Sequence, residues 1–423
     1  MMSAWYPVLG LLLLLLAGLP IAFALPLVGL AMLYTVFGPT AVFSVPQTMF
    51  GALDSFTLLS IPFFILAADI LIAAGIARHM VIAVEKLIGH YRGGLATVAV
   101  VACAFFASIS GSSAATAIAV GSVLLPEMVR QGYDPKYSAG LIAVAGGLGI
   151  LIPPSIPMIV YGSVAEQSVG KLFIAGLTPG ILYTIALVLA AIIVLGRGHK
   201  TVEAASWDER REALRKSVWV LFLPIIIAGL IYGGIATPTE TAGVAVIYAL
   251  FLAVVVYRGL RPRQVLDVLA KSAGSSAMIM MIIAGAHVFS YGLTILRIPQ
   301  GITENILTGV TSQILFLFLV NIVLLVMGMF LDIISILLIT SPIFIPILVH
   351  LGIDPIYFAV IFVINMELAL ITPPLGLHLF IMSGISRLPI SRVLQGVLPF
   401  AFVGLVILAV VVMFPVLSLW LVR

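Results

Sequence analysis

Small hydroxyl residues and glycines interrupt two apolar stretches of the sequence. Residues 108–116 read Ser-Ile-Ser-Gly-Ser-Ser-Ala-Ala-Thr, and residues 146–155 combine three glycines with Pro153-Pro154. Such residues weaken the helical ladder, so that backbone carbonyls and side-chain oxygens become free. Oxygens without a fixed charge suit a weakly bound monovalent cation, whereas the N-termini of half-helices suit an anion. Close helix packing is the alternative explanation, and we set it aside because both stretches recur later in the chain.

The later counterparts of these stretches carry charge. Residues 328–335 include Asp332, and residues 365–374 include Glu367 and Thr372. Asp332 lies alone in a long uncharged run. An unpaired carboxylate at the centre of a membrane helix costs about 2.5–3.5 kcal/mol, so a cation or a proton is expected beside it. Glu367 is interpreted either as a second cation ligand or as a permanently protonated structural acid.

The two sets of residues are related by a constant offset of 220 positions. The matching pairs at this offset are Pro126 and Pro346, Gly132 and Gly352, Asp134 and Asp354, Tyr137 and Tyr357, Pro153-Pro154 and Pro373-Pro374, and Pro179 and Pro399. Prolines and glycines restrict backbone shape, so the match predicts a duplicated structural unit rather than a chance recurrence. In a membrane chain, broken apolar segments at matching places of two halves indicate a transporter's binding site.

The composition is that of a membrane protein. Hydrophobic residues make up 63% of the chain and charged residues 9%, against about 25% charged in a typical globular protein. Residues 9–37 form an apolar run too long for a signal peptide, and we expect a retained helix bent at Pro20 and Pro26. The net charge of +4 indicates membrane topology and not nucleic-acid binding. The single cysteine, Cys103, is expected to be a buried structural thiol.

Basic residues predict the orientation of the chain, because loops rich in Lys and Arg stay in the cytoplasm. The basic loops are residues 78–92, 130–136, 197–216, 258–271 and 387–392. This assignment predicts crossings at residues 6–36, 54–77, 138–165, 178–196, 217–235, 241–257, 275–296, 356–383 and 398–421. Residues 93–130 and 311–350 have both ends on one side, so each is predicted to be a re-entrant hairpin, and the two enter from opposite faces. The polar linker 197–216 is predicted to be an amphipathic helix on the cytoplasmic surface.

The predicted fold is an all-α polytopic membrane protein with an inverted-topology repeat, two re-entrant helical hairpins and two broken helices. Its parts are residues 1–52 (N-terminal scaffold helix and outer loop), 53–198 (first repeat), 199–258 (cytoplasmic linker and scaffold helices) and 259–423 (second repeat). The first repeat holds hairpin 93–130, broken helix 138–165 and helix 178–196. The second repeat holds hairpin 311–350, broken helix 356–383 and helix 398–421.

Three motifs together resemble one family of transporters. Residues 110–116, residues 149–155 (Gly-Ile-Leu-Ile-Pro-Pro-Ser) and residues 371–376 (Ile-Thr-Pro-Pro-Leu-Gly) are similar to the large membrane subunit, of the DctM type, of tripartite ATP-independent periplasmic (TRAP) transporters. The resemblance extends over essentially the whole chain. It implies an elevator-type, sodium-driven symporter in the bacterial inner membrane that imports organic anions such as C4-dicarboxylates, sialic and other sugar acids, and keto acids.

The resemblance also implies which residues bind. One Na+ site would use Ser108, Ser110, Ser112, Gly147, Ile150 and Pro153, and a second would use Gly328, Asp332, Glu367, Ala369 and Thr372. The substrate would lie roughly between Ser113, Thr116 and Asn365. The implied partners are a small four-helix membrane subunit and a periplasmic substrate-binding protein. Because this chain starts directly at its first long apolar run, the small subunit is expected to be a separate polypeptide.

Two alternatives to a tripartite carrier remain open at this point. One is a stand-alone sodium/carboxylate symporter that works without a binding protein. The other is an intramembrane serine hydrolase, with Ser110 or Ser112 as nucleophile and His287 or His378 as base; nothing in the spacing places a base beside those serines. An ATP-driven pump is disfavoured, because the sequence lacks the glycine-rich phosphate-binding motif with its lysine.

Other polar residues of the apolar segments have structural interpretations. Asp69 is expected to be an interfacial or helix-pairing residue rather than a proton relay, and His287 and Asn321 are expected to form interhelical hydrogen bonds. Glu240 is expected to cap the helix that follows it. Arg297 either steers an anionic substrate or extends to the membrane interface. A contact between His378 and the substrate is a further hypothesis.

Overall fold

Every regular element in the part of the chain that the structure describes is a helix. The structure is a computed structural model that describes residues 6–91, 93–196, 205–301 and 312–422. Within these residues, eight helices are long and apolar enough to cross a membrane: Ile21–Leu53, Pro135–Val164, Val169–Leu195, Trp207–Tyr232, Pro238–Val256, Arg263–Ile295, Ile333–His350 and Ile390–Met413. The prediction of an all-α polytopic membrane protein is confirmed. Residues 197–204 of the predicted linker and residue 311 of the predicted second hairpin lie outside the described residues.

The first predicted crossing, residues 6–36, is divided into two helices. Helix Tyr6–Leu16 ends before Pro20, which precedes helix Ile21–Phe37. Proline has no N–H to continue the preceding helix, so the chain breaks where we predicted only a bend. The first residue of the first helix and Thr35 of the second line the same cavity. The first helix therefore folds back along the second.

Three segments predicted as loops are largely helical, which corrects the sequence analysis. The helices are Ala41–Leu53 in the predicted outer loop, Ile76–Ile88, which covers residues 78–88 of the predicted loop 78–92, and the start of Pro262–Ile295 within residues 258–271. In these segments, apolar and long-chain residues with adequate helix propensity outnumber glycine and proline. In the second and third of these segments, the charged residues did not end the helix.

The described part of the cytoplasmic linker is continuous with the crossing that follows it. Helix Trp207–Tyr232 runs through both, so the prediction of a separate surface helix is wrong. Ser206 begins this helix in a capping box with Glu209, whose carboxylate accepts the backbone N–H of Ser206 at 2.9 Å. Glu209 also lies 3.4 Å from Nζ of Lys86, which connects the linker to helix Ile76–Ile88.

A sharp bend and an ion pair organise the helices around the first repeat. Helix Thr57–Ala73 meets helix Ile76–Ile88 at an angle of 73°, and the bend falls at Gly75, whose positive φ of 69° suits glycine. Asp69 accepts hydrogen bonds from Nζ of Lys271 at 3.0 Å and from Oγ of Ser272 at 2.8 Å. The prediction that Asp69 pairs helices is confirmed.

Two hairpins and two broken helices carry the candidate site. Hairpin 1 comprises helices Gly94–Ser110 and Ser113–Arg130; broken helix 1 comprises Pro135–Leu151 and Ile156–Val164; hairpin 2 comprises Gln313–Gly328 and Ile333–His350; broken helix 2 comprises Pro355–Ala369 and Leu377–Ser386. A long helix follows each broken helix, Val169–Leu195 in the first repeat and Ile390–Met413 in the second. Both breaks contain a cis Pro-Pro peptide.

The offset of 220 residues recurs in the hydrogen bonds of the two repeats. Asp134 and Asp354 each cap a broken helix by accepting the backbone N–H two residues further on, both at 2.8 Å. Ser112 and Asp332 each cap the second helix of a hairpin by accepting the backbone N–H three residues further on. Residues at matching positions of the two repeats thus form the same local structures, which supports the predicted duplication.

Close backbone contact holds broken helix 1 against the helix that follows broken helix 2. A Cβ added to Gly140 would lie 2.1 Å from the carbonyl carbon of Gly396, and one added to Gly396 would lie 1.9 Å from the carbonyl oxygen of Lys136. Atoms that are not bonded cannot approach so closely, so both positions require glycine. This crossing fixes the position of the broken helix on which the candidate site is built.

Candidate functional site

The tip of hairpin 1 is a tight turn attached to the break of broken helix 1. Helix Gly94–Ser110 ends in Gly111, whose φ is +63°, and Ser112 then caps the next helix. The carbonyl oxygen of Gly111 accepts a hydrogen bond from the backbone N–H of Ile156 at 3.2 Å. The hairpin tip and the helix break are therefore held together by the backbone itself.

Three oxygen atoms cluster at this tip. Oγ of Ser110 lies 2.9 Å from Oγ1 of Thr116, and the carbonyl oxygen of Ser112 accepts hydrogen bonds from Thr116 at 2.9 Å and from Ser110 at 3.3 Å. Ser110 lies at the C-terminal, negative end of helix Gly94–Ser110, whereas Ser112 and Thr116 lie at the start of helix Ser113–Arg130. Uncharged oxygens in this setting are suited to a monovalent cation.

Gly149 of broken helix 1 closes one side of the cluster. A Cβ at this position would lie 2.5 Å from the carbonyl oxygen of Ser112 and 2.6 Å from Oγ1 of Thr116. Glycine is needed because the hairpin tip rests on the backbone here. Sequence reasoning did not assign Gly149 to the site, although its place between two other glycines and Pro153-Pro154 was an available signal.

The structure only partly brings together the residues predicted for the first Na+ site. Ser110 and Ser112 belong to the oxygen cluster, and Ile150 follows Gly149, with its carbonyl oxygen accepting a hydrogen bond from Ser155. Ser108 and Pro153 instead line a separate cavity beside helix Trp207–Tyr232. Gly147 faces broken helix 2.

Asp332 has the same position on hairpin 2 as Ser112 on hairpin 1, but it is charged. Its Oδ1 accepts the backbone N–H of Ser335 at 3.1 Å, and its Oδ2 accepts the hydroxyl of the same residue. The side chain is exposed and caps helix Ile333–His350, where the helix dipole favours a negative charge. The sequence analysis expected an unpaired carboxylate inside an apolar helix, and this expectation is corrected, because Asp332 caps the start of a helix.

The tip of hairpin 2 is attached to broken helix 2 by a hydrogen bond of 3.2 Å from the N–H of Leu375 to the carbonyl oxygen of Met329.

The residues predicted for the second Na+ site fall into two places. Gly328 packs on Ala369, since a Cβ on the glycine would lie 2.3 Å from the alanine Cβ. Thr372 follows this contact at the break and donates to the carbonyl of Leu368 at 2.6 Å. Glu367 instead faces Gly147 of broken helix 1; it is 3% exposed, and neither carboxyl oxygen has a hydrogen-bond partner among the described residues.

Both hairpin tips and both helix breaks meet at one cavity of about 170 Å³, which we name the tip cavity. Its lining residues are Gly111, Ser112, Ser113, Ala114, Ile150, Ile156, Pro157, Ile279, Asp332, Ile333, Ile334, Leu370 and Leu377. Four helices begin at this cavity, at Ser113, Ile156, Ile333 and Leu377. Helix N-termini present free N–H groups and positive potential, which are the features of an anion site.

Among the residues predicted to contact substrate, the structure separates Asn365 from the other two. Ser113 lines the tip cavity, and Thr116 belongs to the adjoining oxygen cluster. Asn365 lines a different cavity of about 350 Å³ between hairpin 2, broken helix 2 and helix Ile390–Met413. Its Nδ2 donates to Oδ1 of Asn321 at 2.7 Å, which confirms the interhelical hydrogen bond predicted for Asn321.

The remaining polar predictions are decided by hydrogen bonds. Nδ1 of His287 lies 3.0 Å from the carbonyl of Ile283 in its own helix, so the predicted interhelical bond is wrong. Nδ1 of His378 lies 2.7 Å from the carbonyl of Ala143. The described contacts of both imidazoles are thus with backbone carbonyls rather than with the serines of hairpin 1. Glu240 caps its helix as predicted.

A polytopic helical protein whose two repeats present hairpin tips and helix breaks to one cavity has the architecture of a membrane transporter. The sequence matches the family described as "Tripartite ATP-independent periplasmic transporter, DctM component" over residues 8–417. The chain belongs to this family. It is a large permease subunit of a TRAP transporter and a multi-pass protein of the bacterial inner membrane, not an enzyme.

Individual relatives agree with this assignment. The chain is 44% identical over 392 residues to the C4-dicarboxylate TRAP transporter large permease protein DctM of Pseudomonas aeruginosa, covering 92% of this chain and 91% of the relative. It is 35% identical over 407 residues to the sialic acid TRAP transporter large permease protein SiaM of Vibrio cholerae, covering 96% and 95%. The solved structure of the YdaH transporter of Alcanivorax borkumensis is similar with a TM-score of 0.67 at 14% identity, covering 91% and 90% of the two chains, which shows a shared fold.

Proposed function

We propose that this permease imports an organic anion together with sodium ions by an elevator movement. The observation that carries the proposal is the arrangement of helix ends at the two tips. Four helices begin around the tip cavity, and the helices that precede them end beside it. One small region thus offers helix N-termini for an anion and, at the tip of hairpin 1, a cluster of uncharged oxygens for a cation.

The organic anion is proposed to bind in the tip cavity. Among its described lining residues there is no Lys or Arg, so the backbone N–H groups of the helix starts and the Ser113 hydroxyl are the groups that receive a carboxylate. Relatives named for a C4-dicarboxylate and for sialic acid support an organic acid as the substrate.

Sodium ions are proposed to bind behind the two tips. The first ion takes the oxygen cluster of Ser110, Ser112 and Thr116, where oxygens lie within 3.3 Å of one another and Gly149 leaves room for close approach. A second ion is proposed at the tip of hairpin 2, with the carboxylate of Asp332 as its charged ligand. Two or more sodium ions would supply the driving force.

Ser112 is proposed to couple the two ligands. Its carbonyl oxygen belongs to the oxygen cluster, while the residue also lines the tip cavity. An ion that fixes this carbonyl also fixes the start of helix Ser113–Arg130, and with it the N–H groups offered to the anion. Each ligand therefore favours the conformation that binds the other.

The two hairpins and the two broken helices are proposed to form the moving unit, with re-entrant hairpins that approach from opposite membrane faces. The convergence of their tips on one cavity supports this arrangement. The scaffold would include helices Ile21–Phe37 and Pro262–Ile295, which pack on each other. A small four-helix membrane subunit and a periplasmic substrate-binding protein are the proposed partners, as the word "tripartite" in the family description suggests.

Reconstitution tests the proposal directly. The permease is placed in proteoliposomes with its small subunit, and uptake of succinate and of sialic acid is measured with and without the binding protein. We expect uptake of at least one acid only when sodium is higher outside. Equal uptake without a sodium gradient would refute sodium coupling, and full uptake without the binding protein would favour a stand-alone symporter.

A further inference from the structure

We propose that the substrate is anchored by a single carboxylate at the tip of hairpin 1, because the matching place at the tip of hairpin 2 is already filled by the side chain of Asp332. The inference rests on the proposed function, since it takes an organic acid as the occupant of the tip cavity. It adds an orientation to that function: the carboxylate faces residues 112–114, and the remainder of the molecule faces hairpin 2.

Asp332 supplies the negative charge that the start of helix Ile333–His350 attracts. Both of its carboxylate oxygens are engaged, one by the backbone N–H of Ser335 at 3.1 Å and one by the hydroxyl of Ser335. A substrate carboxylate at this place would compete for the same donors and would meet a like charge. A sodium ion bound to Asp332 would reduce the repulsion, but it would not release the donors of Ser335.

Hairpin 1 is different at the matching positions. Ser112 is neutral, and its hydroxyl accepts the N–H of Ala115 at 3.4 Å, longer than a good hydrogen bond. Ser113 is 5% exposed and lines the tip cavity, and its hydroxyl has no hydrogen-bond partner among the described residues. The hydroxyl is therefore free to donate a hydrogen bond to an acceptor oxygen of a ligand in the cavity. Of the two hairpin tips, the one that ends in helix Ser113–Arg130 is therefore the one with a free place for an anion.

The wall of the tip cavity beside hairpin 2 is apolar, so it suits the hydrocarbon part of a substrate rather than a charged group. Its residues are Ile279, Ile333, Ile334, Leu370 and Leu377. Ile333 is the counterpart of Ser113 in the second repeat, so hairpin 2 has an apolar side chain where hairpin 1 has a hydroxyl. An organic acid with one carboxylate finds both of its ends accommodated, and a second carboxylate gains no free place at the tip of hairpin 2.

The test exchanges the caps of the two repeats. Ser112→Asp places on hairpin 1 the same internal anion that Asp332 provides on hairpin 2, and Asp is as good an N-cap as Ser, so the helix should still form. Ser112→Asn is the matched control, because Asn has the size of Asp and also caps helices but carries no charge. The probes are succinate and butyrate, which have four carbons each and differ by one carboxylate. Binding is measured by calorimetry on purified permease in lipid nanodiscs with saturating sodium chloride.

We expect both acids to bind the unmodified protein with Kd values within about tenfold of each other. Ser112→Asp should raise the Kd of both acids at least about tenfold more than Ser112→Asn does, because it adds a like charge within a few ångströms of the substrate carboxylate. Equal Kd values for the two variants, or binding of succinate without butyrate, would overturn the single-carboxylate anchor. Binding of neither acid to the unmodified protein would instead refute a four-carbon acid as the occupant of the tip cavity.

A second variant, Ser113→Ala, tests the same proposal if Ser112→Asp fails to fold. Ser113→Ala removes the unpartnered hydroxyl and leaves the cap intact, and it should raise the Kd of both acids about tenfold while the melting temperature stays unchanged. An unchanged Kd for butyrate in this variant would contradict the proposed orientation.

Discussion

Gly147 of broken helix 1 lies directly against Glu367 of broken helix 2, and the two residues hold the same position in their repeats. A Cβ added to Gly147 would lie 2.5 Å from Cγ of Glu367. Contact between two repeat counterparts is the arrangement expected where a two-fold axis passes between them. At this contact, the glycine in one repeat makes room for the carboxylic acid in the other.

This contact predicts that Gly147→Ala destabilises the permease. The added methyl group overpacks the crossing of the broken helices, at a cost of about 1–3 kcal/mol, and we expect a lower melting temperature in detergent. Gly243→Ala is the control, because Gly243 lies in helix Pro238–Phe251 with nothing within 4 Å of an added Cβ; this change should leave stability equal or slightly higher.

A double variant shows whether Glu367 is the group that is displaced. Adding Glu367→Ala to Gly147→Ala removes the side chain that the methyl group meets, so part of the lost stability should return. If the two changes lower the melting temperature additively, the proposed contact between the two residues is wrong.

The oxygen cluster leads to a prediction about sodium. Thr116→Val keeps the shape of the side chain but removes the hydroxyl that bonds Ser112 and Ser110. We expect the sodium concentration for half-maximal uptake to rise about tenfold, since a bond to a charged ligand is worth about 1.5–3 kcal/mol. Uptake in proteoliposomes at a series of external sodium concentrations measures this shift.

Thr340→Val is the matched control for that experiment. Thr340 is also a buried threonine on the second helix of a hairpin, and it likewise bonds the carbonyl four residues earlier, at 2.7 Å. Thr340 does not belong to the oxygen cluster, so the sodium concentration for half-maximal uptake should be the same in Thr340→Val as in the unmodified protein. A similar shift in both variants would mean that Thr116 acts through helix stability and not through the ion.

The sequence was sufficient to predict the elements of the site but not the orientation of every side chain. Breaks in the helices were predicted correctly because Gly111 and the Pro-Pro pairs act on the backbone locally. The resemblance placed Asn365 beside the substrate together with Ser113, yet the side chain of Asn365 faces hairpin 2. In a helix that is apolar and buried on all sides, as Pro355–Ala369 is, periodicity does not show which face meets which neighbour.

The errors in the loops have a related cause. Residues 78–88 are basic, and basic residues predict the side of the membrane without predicting the end of a helix. The bend falls at Gly75, before the charges begin. Asp332 was identified from its isolation in the sequence, but its capping of helix Ile333–His350 was missed, although Ser335 three residues later was an available signal.

The crossing of Gly140 and Gly396 leads to a prediction about folding. Gly140→Ala would place a methyl group 2.1 Å from a backbone carbon, and a backbone in a packed helix cannot move aside as a side chain can. We expect the variant to be absent from the membrane fraction or to aggregate on extraction. Gly274→Ala, at a helical position with nothing within 4 Å, should be produced at the normal level; a folded and active Gly140→Ala variant would show that the helices do not cross this closely.

Asp332 has a structural and a proposed functional role, and two substitutions separate them. Asp332→Asn keeps a side chain that caps helix Ile333–His350 but removes the charge proposed to bind sodium, so we expect a folded protein with little or no sodium-driven uptake. Asp332→Ala removes cap and charge together and should lose about 1 kcal/mol of stability in addition.

Asp354→Asn is the control for Asp332→Asn, because Asp354 also caps a helix, accepting the N–H of Ile356 at 2.8 Å, at the start of broken helix 2 and away from the tip cavity. Its uptake should stay close to that of the unmodified protein. Melting temperature and sodium-dependent uptake are measured for all three variants in the same lipid. Normal uptake by Asp332→Asn would show that the carboxylate serves only as a cap, and the second sodium site would then have to be built from uncharged oxygens as the first one is.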